Sequence, residues 1–320
     1  MTRPTWTIAG HGLTATFTDL GAILHDLRLD GHDAPLVLGL ADLDHYPEHS
    51  SYMGATAGRC INRIGGASFV LDGRRHDTDP NFLGRHTLHG GSAGLGKRVW
   101  EATEVSANAI TFAVEQADGD MGFPGALRVT ARFDCAPDAT LRVTYRAETD
   151  APTICNVGHH TYWCLDETGG LDDHVLTVPG ADRYVAVDDD LIPTEVRSVD
   201  GTPFDFRAGR VPVGGGDVLD HNLCLSDGRV PWRDVATLHS RASGVTMRLG
   251  TTEPGLQVYD GAKLKSPVPG LAGRPNGSRS GVALEPQAWP DAPNRPDFPS
   301  AVLRPGDAYE QVTTFQFSKG

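Results

Sequence analysis

The chain has 320 residues and a formal net charge of −13, with 39% apolar and 22% charged residues. This length suits one large domain or two ordinary ones, and the negative charge argues against a nucleic-acid partner. No apolar run is long enough for a membrane helix, and the N-terminus lacks the apolar segment of a signal peptide, which favours a cytoplasmic location. The five cysteines are scattered, so we expect neither a disulfide framework nor a structural zinc site.

Apolar and polar residues alternate with period two along much of the chain, which predicts antiparallel strands with one buried face. The alternation is clearest in residues 110–115, 127–135, 141–148 and 245–249. Asp72-Gly73 after an apolar run and Asp138 between two alternating segments predict tight hairpins. Helical periodicity is rare, so helices should be short and few. We therefore predict an all-β fold with a single domain over residues 1–320, built as a large antiparallel β-sandwich.

The first candidate site segment is Gly58–Gly66, which holds two arginines and an asparagine among glycines. Asn62 and Arg63 are suited to donate hydrogen bonds to the oxygens of a polar ligand. The alternative is a solvated loop with incidental arginines, and for Arg59 the sequence does not separate the two interpretations.

The second candidate is His89, which is followed by Gly90 and Gly91. Two glycines let the backbone approach a ligand closely while the imidazole points into the site. The alternative interpretation is a surface histidine or a core histidine whose hydrogen bonds are satisfied within the protein.

The third candidate segment contains adjacent histidines, His159 and His160, followed by Thr161, Tyr162 and Trp163. In a strand, His160 and Tyr162 share one face, while His159, Thr161 and Trp163 share the other. Only one of the two histidines then lines a given pocket. Adjacent residues of a regular strand cannot both bind one ion, so we do not expect a metal site here.

Two carboxylates complete the candidate set. Glu285 ends a short apolar run and precedes a proline-rich loop that contains Trp289, which suits a partly desolvated general base. The alternative is a glutamate that caps a turn at a strand end. Asp220 precedes His221 and Asn222 and is suited to accept hydroxyl hydrogen bonds, although the same tripeptide is common in ordinary turns.

Taken in chain order, these residues resemble the aldose 1-epimerase (galactose mutarotase) family from about residue 50 to the C-terminus. The motifs that carry the resemblance are Asn62-Arg63, Leu88-His89-Gly90-Gly91, His160-x-Tyr162, Asp220-x-Asn222 and Glu285-x-Gln287-x-x-Pro290-Asp291-Ala292-Pro293-Asn294. Further landmarks are Lys97-Arg98-Val99-Trp100, Gly122-Phe123-Pro124-Gly125 and Leu256-Gln257-Val258-Tyr259.

The resemblance implies a β-supersandwich fold and an isomerase that interconverts the α and β anomers of free aldoses such as glucose or galactose. It implies no cofactor and no metal, a monosaccharide as the small-molecule partner, and a monomer or homodimer without nucleic acid or membrane. Position by position, Glu285 matches the family's general base and His160 its general acid. The implied sugar-binding residues are Asn62, Arg63, His89, Asp220 and Gln257.

The chain has His159-His160-Thr161-Tyr162-Trp163-Cys164 where the family usually has Asn-His-Ser-Tyr-Phe-Asn, so the acid is retained but its neighbours differ. This departure bears on sugar preference more than on the reaction. A carboxylate in the same pocket should favour the imidazolium form of His160 near neutral pH.

Three other functions remain open at the level of sequence. A hexose-6-phosphate 1-epimerase needs a basic cluster at the rim of the pocket. A non-catalytic sugar-binding protein needs neither Glu285 nor His160. A glycoside hydrolase that pairs Asp220 with Glu285 leaves both His89 and His160 unexplained.

Overall fold

The computed structural model describes residues 3–214 and 218–320, and most of its regular structure is β-strand. The first thirteen strands, β1 to β13, are Thr5–Gly10, Leu13–Thr18, Ile23–Leu29, Ala55–Ala57, Arg63–Ile64, Ser68–Leu71, Arg74–Asp77, Thr87–Leu88, Glu101–Val105, Ala109–Gln116, Leu127–Ala136, Thr140–Thr149 and Thr153–Ile154. Strands β14 to β25 are Gly158–His160, Tyr162–Trp163, His174–Thr177, Arg183–Val187, Pro193–Ser198, Asp220–Cys224, Arg233–Ser240, Val245–Thr251, Gly255–Tyr259, Val282–Gln287, Val302–Leu303 and Tyr309–Lys319.

Helical structure is confined to short segments. The α-helix α1 spans Tyr46–His49. The 3₁₀ turns of the described residues are Leu43–His45, Gly65–Ala67, Leu95–Lys97, Asp120–Gly122 and Ala292–Asn294. No helix in the described part of the chain has the length and hydropathy needed to cross a membrane.

Two large antiparallel sheets dominate the fold. The eight-stranded sheet has the order β16-β20-β21-β25-β12-β11-β10-β9, and the six-stranded sheet has the order β15-β23-β22-β19-β17-β18. A three-stranded sheet, β1-β2-β3, and four two-stranded pairs complete the architecture. The predicted all-β class, with large antiparallel sheets packed as a sandwich, is confirmed.

The alternating segments form the eight-stranded sheet in the way their pattern predicts. In β11, Leu127, Val129 and Phe133 are buried, whereas Arg128 and Arg132 on the opposite face are not. The buried faces of β10, β11, β12, β21 and β25 pack in one apolar core together with Leu256, Val258, Val282 and Leu284 of the six-stranded sheet. The predicted hairpins are also present, since β6 turns into β7 at Asp72-Gly73 and β11 turns into β12 around Asp138.

The six-stranded sheet has a second, polar face. Strand β23 alternates Val282 and Leu284 toward the apolar core with Ala283 and Glu285 toward the other side. The register places Glu285 opposite Gln257 of β22, and Gln257 in turn opposite Asn222 of β19. Three neighbouring strands therefore bring a carboxylate and two amides into one row.

Candidate active site

One cavity of about 200 Å³ opens over the polar face of the six-stranded sheet. It is smaller than the range of roughly 300–1,000 Å³ typical for drug-sized ligands, which suits a ligand the size of one sugar ring. Its lining residues are Ser51, Tyr52, Asn62, Arg63, Phe82, Leu88, His89, His160, Tyr162, Asp220, Tyr259, Lys263 and Glu285. Six of the seven candidate residues from the sequence are in this set, and the seventh, Gln257, lies directly behind Asp220.

Glu285 and His160 face each other inside this cavity. His160 ends β14, which pairs with β4, whereas Glu285 belongs to β23 of the six-stranded sheet. His160 Nε2 lies 3.6 Å from Glu285 Oε1, and both side chains are almost completely buried. This separation is longer than a hydrogen bond, so a proton can be exchanged between the two groups through a bound hydroxyl.

Burial controls the protonation of this pair. Desolvation lowers the pKa of His160 to about 4, and Arg63 acts in the same direction, while Asp220 opposes it. Desolvation also raises the pKa of Glu285 well above its ordinary value, and Asp220 adds to that increase. Both shifts favour the uncharged forms, so the expectation that the carboxylate holds His160 as an imidazolium is wrong.

Asp220 is the centre of a polar chain along the cavity wall. Arg63 Nη2 donates to Asp220 Oδ2 at 2.9 Å, and Gln257 Nε2 donates to Asp220 Oδ1 at 2.6 Å. Arg63 is held in turn by Asn62, whose Oδ1 accepts from the Arg63 backbone N–H at 2.9 Å and from Nη1 at 3.3 Å. Four of the candidate residues thus form one connected network.

His89 is tied to the same segment through its ring. The backbone N–H of Asn62 donates to His89 Nδ1 at 3.2 Å, and the His89 N–H donates to the Asn62 carbonyl at 2.9 Å. Burial, reinforced by His160, Arg63 and Lys97, lowers the pKa of His89 well below its ordinary value. A neutral imidazole that accepts at Nδ1 carries its proton on Nε2, so His89 is a hydrogen-bond donor through Nε2.

Several buried polar atoms around the cavity have no protein partner within residues 3–214 and 218–320. They are Arg63 Nε, His160 Nδ1, Gln257 Oε1 and Glu285 Oε2. Buried polar atoms are nearly always hydrogen-bonded, so a cluster of unpaired ones marks a place where a polar ligand binds. A polyhydroxylated ring supplies donors and acceptors for such a set.

Among the positions that depart from the family pattern, His159, Trp163 and Cys164 do not reach the cavity. His159 packs between Phe133 and Phe315, with ring-centroid distances of 5.7 Å and 6.3 Å, and its Nε2 bonds to Thr161 Oγ1 at 2.6 Å. Trp163 and Cys164 are buried in apolar clusters. His160 and Tyr162 do share the opposite face, although the chain breaks into β14 and β15 at Thr161. These three side chains therefore do not line the cavity.

Sequence reasoning missed the aromatic part of the cavity. Tyr52 lies beside both imidazoles, and the Arg63 guanidinium lies over the Phe82 ring at 4.9 Å from its centroid. Both aromatic residues belong to loops, where no periodic pattern indicates their direction. Tyr259 could have been found, because it follows Gln257 by two residues and in a strand shares its face.

Arg59 is neither a ligand contact nor a solvated loop residue. Its side chain is fully buried, and Nη1 donates to the carbonyls of Pro124 and Gly125 at 3.1 Å and 2.7 Å. Nη1 also lies 3.3 Å from Thr153 Oγ1. The guanidinium therefore holds the 122–125 loop against the rest of the fold.

Away from the cavity, a group of potential metal ligands consists of Cys164, Asp166 and His174. His174 Nε2 accepts a hydrogen bond from the Leu165 backbone N–H at 2.8 Å, which places the proton of the neutral ring on Nδ1. Nδ1 faces Asp166 Oδ2 at 3.6 Å, and Ser240 Oγ donates to the same oxygen at 2.6 Å. The ring atom that faces this group is thus a donor and not a metal ligand.

Comparison with known proteins agrees with the geometry. The family model described as aldose 1-epimerase matches residues 4–316. The galactose mutarotase of Bos taurus is 38% identical over 299 residues, covering 90% of this chain and 85% of that protein. The aldose 1-epimerase of Escherichia coli K12 is 34% identical over 328 residues, covering 96% of this chain and 92% of that protein.

A solved structure of an aldose epimerase homologue from C. elegans superimposes with a TM-score of 0.93 at 32% identity, covering 99% of both chains. The galactose 1-epimerase of Lactobacillus acidophilus superimposes with a TM-score of 0.82 at 23% identity, which is evidence for the fold alone. The chain belongs to the aldose 1-epimerase family. The predicted enzyme class, an isomerase of the aldose 1-epimerase type, is confirmed.

Proposed function

We propose that this enzyme interconverts the α and β anomers of free aldoses, glucose or galactose among them, by acid–base opening of the pyranose ring. The observation that carries the proposal is the facing pair of Glu285 and His160, 3.6 Å apart in a cavity sized for one sugar. Glu285 removes the proton of the C1 hydroxyl while His160 protonates the ring oxygen, which breaks the C1–O5 bond. Rotation about C1–C2 and the reverse proton transfers close the ring on the other face.

One proton shared by the pair is enough for this cycle. Burial favours the carboxylic acid and the neutral imidazole, and transfer of that proton from Glu285 to His160 gives the reactive carboxylate and imidazolium. Hydrogen bonds from sugar hydroxyls to Glu285 stabilise its carboxylate form and support that transfer. Each such proton transfer is typically worth about 10²–10⁴-fold in rate.

Arg63, Asn62, His89, Asp220 and Gln257 would fix the hydroxyls that do not react. The network around Asp220 presents fixed donors and an acceptor, so the ring is held while C1 is free to turn. Among the described lining residues the cations are Arg63 and Lys263, and Arg63 is already paired with Asp220. A single exposed lysine is a weak phosphate site, which supports free aldoses over hexose 6-phosphates.

Polarimetry of freshly dissolved α-glucose and α-galactose tests the reaction, with glucose 6-phosphate and a nitrophenyl glycoside as comparison substrates. We expect faster optical drift with both free sugars, a much lower kcat/KM for the phosphate, and no nitrophenol release. An unchanged drift would instead indicate a non-catalytic sugar-binding protein. Release of nitrophenol would indicate a glycoside hydrolase.

We further propose that the enzyme acts in the cytoplasm as a monomer or homodimer. Its five cysteines are all free and buried, in keeping with a reducing compartment. Light scattering on the purified protein distinguishes the two oligomeric states.

A further inference from the structure

Tyr52 occupies an unusual place beside the two cavity histidines. Its ring centroid lies 4.6 Å from that of His89 and 6.0 Å from that of His160, and the second pair is stacked at an interplanar angle of 28°. The backbone of Ser51 and Tyr52 is in the left-handed region, with φ of 46° and 63°. Such strain in non-glycine residues clusters at functional sites, where the surrounding structure maintains it.

The 3₁₀ turn Leu95–Lys97 holds the Tyr52 ring from outside the cavity. The ammonium of Lys97 lies over the ring at 4.7 Å from its centroid. Within residues 3–214 and 218–320 this half-buried ammonium forms no ion pair, and its contact with the Tyr52 ring is a cation–π interaction. Gly96 provides the space, because a Cβ at that position would lie 3.0 Å and 3.1 Å from Tyr52 Cδ1 and Cε1.

We propose that Tyr52 is a positioning residue that shields His160 and His89 from water, and that Lys97 and Gly96 act on the acid–base pair through the Tyr52 ring. The hydroxyl of Tyr52 is not needed for this role, since the contacts to both imidazoles and to Lys97 are made by the ring. This inference rests on the proposed function of His160 as the general acid.

His160 is surrounded by other groups that also affect its protonation. These groups stay the same when Tyr52 is changed. They are His159, on the same strand as His160, and Arg63, His89, Tyr162, Asp220 and Glu285 on neighbouring elements. Burial is the largest cause of the depressed pKa of His160. Removing the ring that covers the imidazole should therefore raise the pKa, whereas an unspecific loss of packing would lower activity without moving it.

The test is an NMR titration of the His160 Cε1–H signal, assigned with His160→Asn, together with kcat/KM against pH. In Tyr52→Leu we expect the pKa of His160 and the acid limb of kcat/KM to move up by at least about one unit, with kcat/KM down by about ten- to a hundredfold. In Tyr52→Phe the pKa of His160 and the acid limb of kcat/KM should both equal those of the wild-type enzyme. Val99→Ala, an exposed neighbour of Lys97, is the matched control and should leave activity unchanged.

Lys97 and Gly96 are tested through a double-mutant cycle. Lys97→Met should lower kcat/KM by about two- to tenfold, and Lys97→Arg should restore most of it. In the Tyr52→Leu background the same Lys97→Met change should have less than about a twofold effect, because the ring through which it acts is gone. Gly96→Ala should shift the His160 signal in the same direction as Tyr52→Leu.

The proposal is overturned if Tyr52→Leu leaves the pKa of His160 unchanged, if Tyr52→Phe behaves like Tyr52→Leu, or if Lys97→Met is equally harmful in both backgrounds. Because the titration needs no turnover, it separates this inference from the proposed function. If the wild-type enzyme is inactive while the pKa of His160 is low and rises in Tyr52→Leu, the proposed function and the acid role of His160 are overturned. The shielding of His160 by Tyr52 would still stand.

Discussion

At the scale of single residues, burial determines which of two facing groups carries a proton. In water, the ordinary pKa of a glutamate lies below that of a histidine, so between those two values Glu285 and His160 would form an ion pair. In the cavity both charged forms lose their hydration, so the uncharged form of each group is favoured.

The catalytic assignment predicts the effect of removing either group. Glu285→Gln and His160→Asn should each lower kcat by at least about a hundredfold, because each removes one proton transfer. Glu285→Gln keeps the shape of the side chain, so its midpoint of thermal unfolding should move little. His160→Asn leaves a smaller side chain at a buried position, so its midpoint of thermal unfolding is measured as the folding control. Near-normal turnover in either variant, measured by polarimetry, would refute the assignment of that residue.

The shifted pKa values predict the pH dependence of kcat/KM. The active pair holds one proton, and a second proton binds His160, whose pKa is lowered to about 4. Activity should therefore persist as the pH falls through 6.5, the ordinary histidine value, and decline only near pH 4. At high pH the pair loses its proton and kcat/KM falls again. Because the pKa of Glu285 is raised, this alkaline limb should lie above the ordinary pKa of a glutamate. An acid limb near 6.5, after subtraction of spontaneous mutarotation, would contradict this account.

Asp220 is expected to affect sugar binding more than chemistry. Asp220→Asn removes the charge that pairs with Arg63 and replaces one carboxylate acceptor of the wall with an amide donor. KM should rise by about tenfold or more while kcat changes much less, since one charge-assisted hydrogen bond is worth about 1.5–3 kcal/mol. Initial rates over a range of sugar concentrations give both constants. A decrease in kcat alone would contradict the binding role.

At the scale of secondary-structure elements, the alternation of residues explains how the site is assembled. The alternation around His160 is sufficient to predict which of its neighbours share a face, and the short apolar run before Glu285 is sufficient to predict a buried strand that carries the carboxylate. The pairing of β14 with β4, and of β23 with β22, depends on contacts distant in sequence, so the 3.6 Å approach of the two groups could not be derived from local pattern.

The same limit explains the residues that were missed or misjudged. Tyr52 and Phe82 lie in loops, and their direction depends on the turn that packs against them. For Arg59 the sequence leaves a ligand contact and a solvated loop residue open and indicates neither burial nor structure, because nothing nearby in the chain points to the Pro124 and Gly125 carbonyls that it binds. The pKa of His160 was predicted in the wrong direction because the sequence shows the neighbouring carboxylate but not the depth of burial.

Arg59 therefore predicts a stability effect without a binding effect. Arg59→Met leaves two carbonyls without their donor, which should lower the free energy of unfolding by at least about 2 kcal/mol. KM at a temperature where the variant is folded should stay near the wild-type value. Arg128→Met, on an exposed face of β11, is the control and should change stability by less than about 0.5 kcal/mol. Urea denaturation measures the free energy of unfolding of both variants. An Arg59→Met variant with unchanged stability and a raised KM would indicate a sugar contact instead.

At the scale of the whole molecule, one apolar core links distant parts of the chain. It contains Ile8 and Phe17 of the N-terminal sheet, Phe133 of β11, Leu284 of β23 and Phe315 of β25. We therefore predict that residues 1–320 form a single domain that unfolds in one cooperative transition. Agreement between the calorimetric and van't Hoff enthalpies would support this prediction, and two resolved transitions would contradict it.

The central claim is that Glu285 and His160 act together as one acid–base unit, and the kcat of the double variant Glu285→Gln/His160→Asn tests it most directly. Groups that act as a unit give strongly non-additive effects. We expect the double variant to be about as slow as the slower single variant, with a loss of about a hundredfold or more. Losses that multiply, to about ten-thousandfold or beyond, would mean that the two groups contribute independently and would contradict the account.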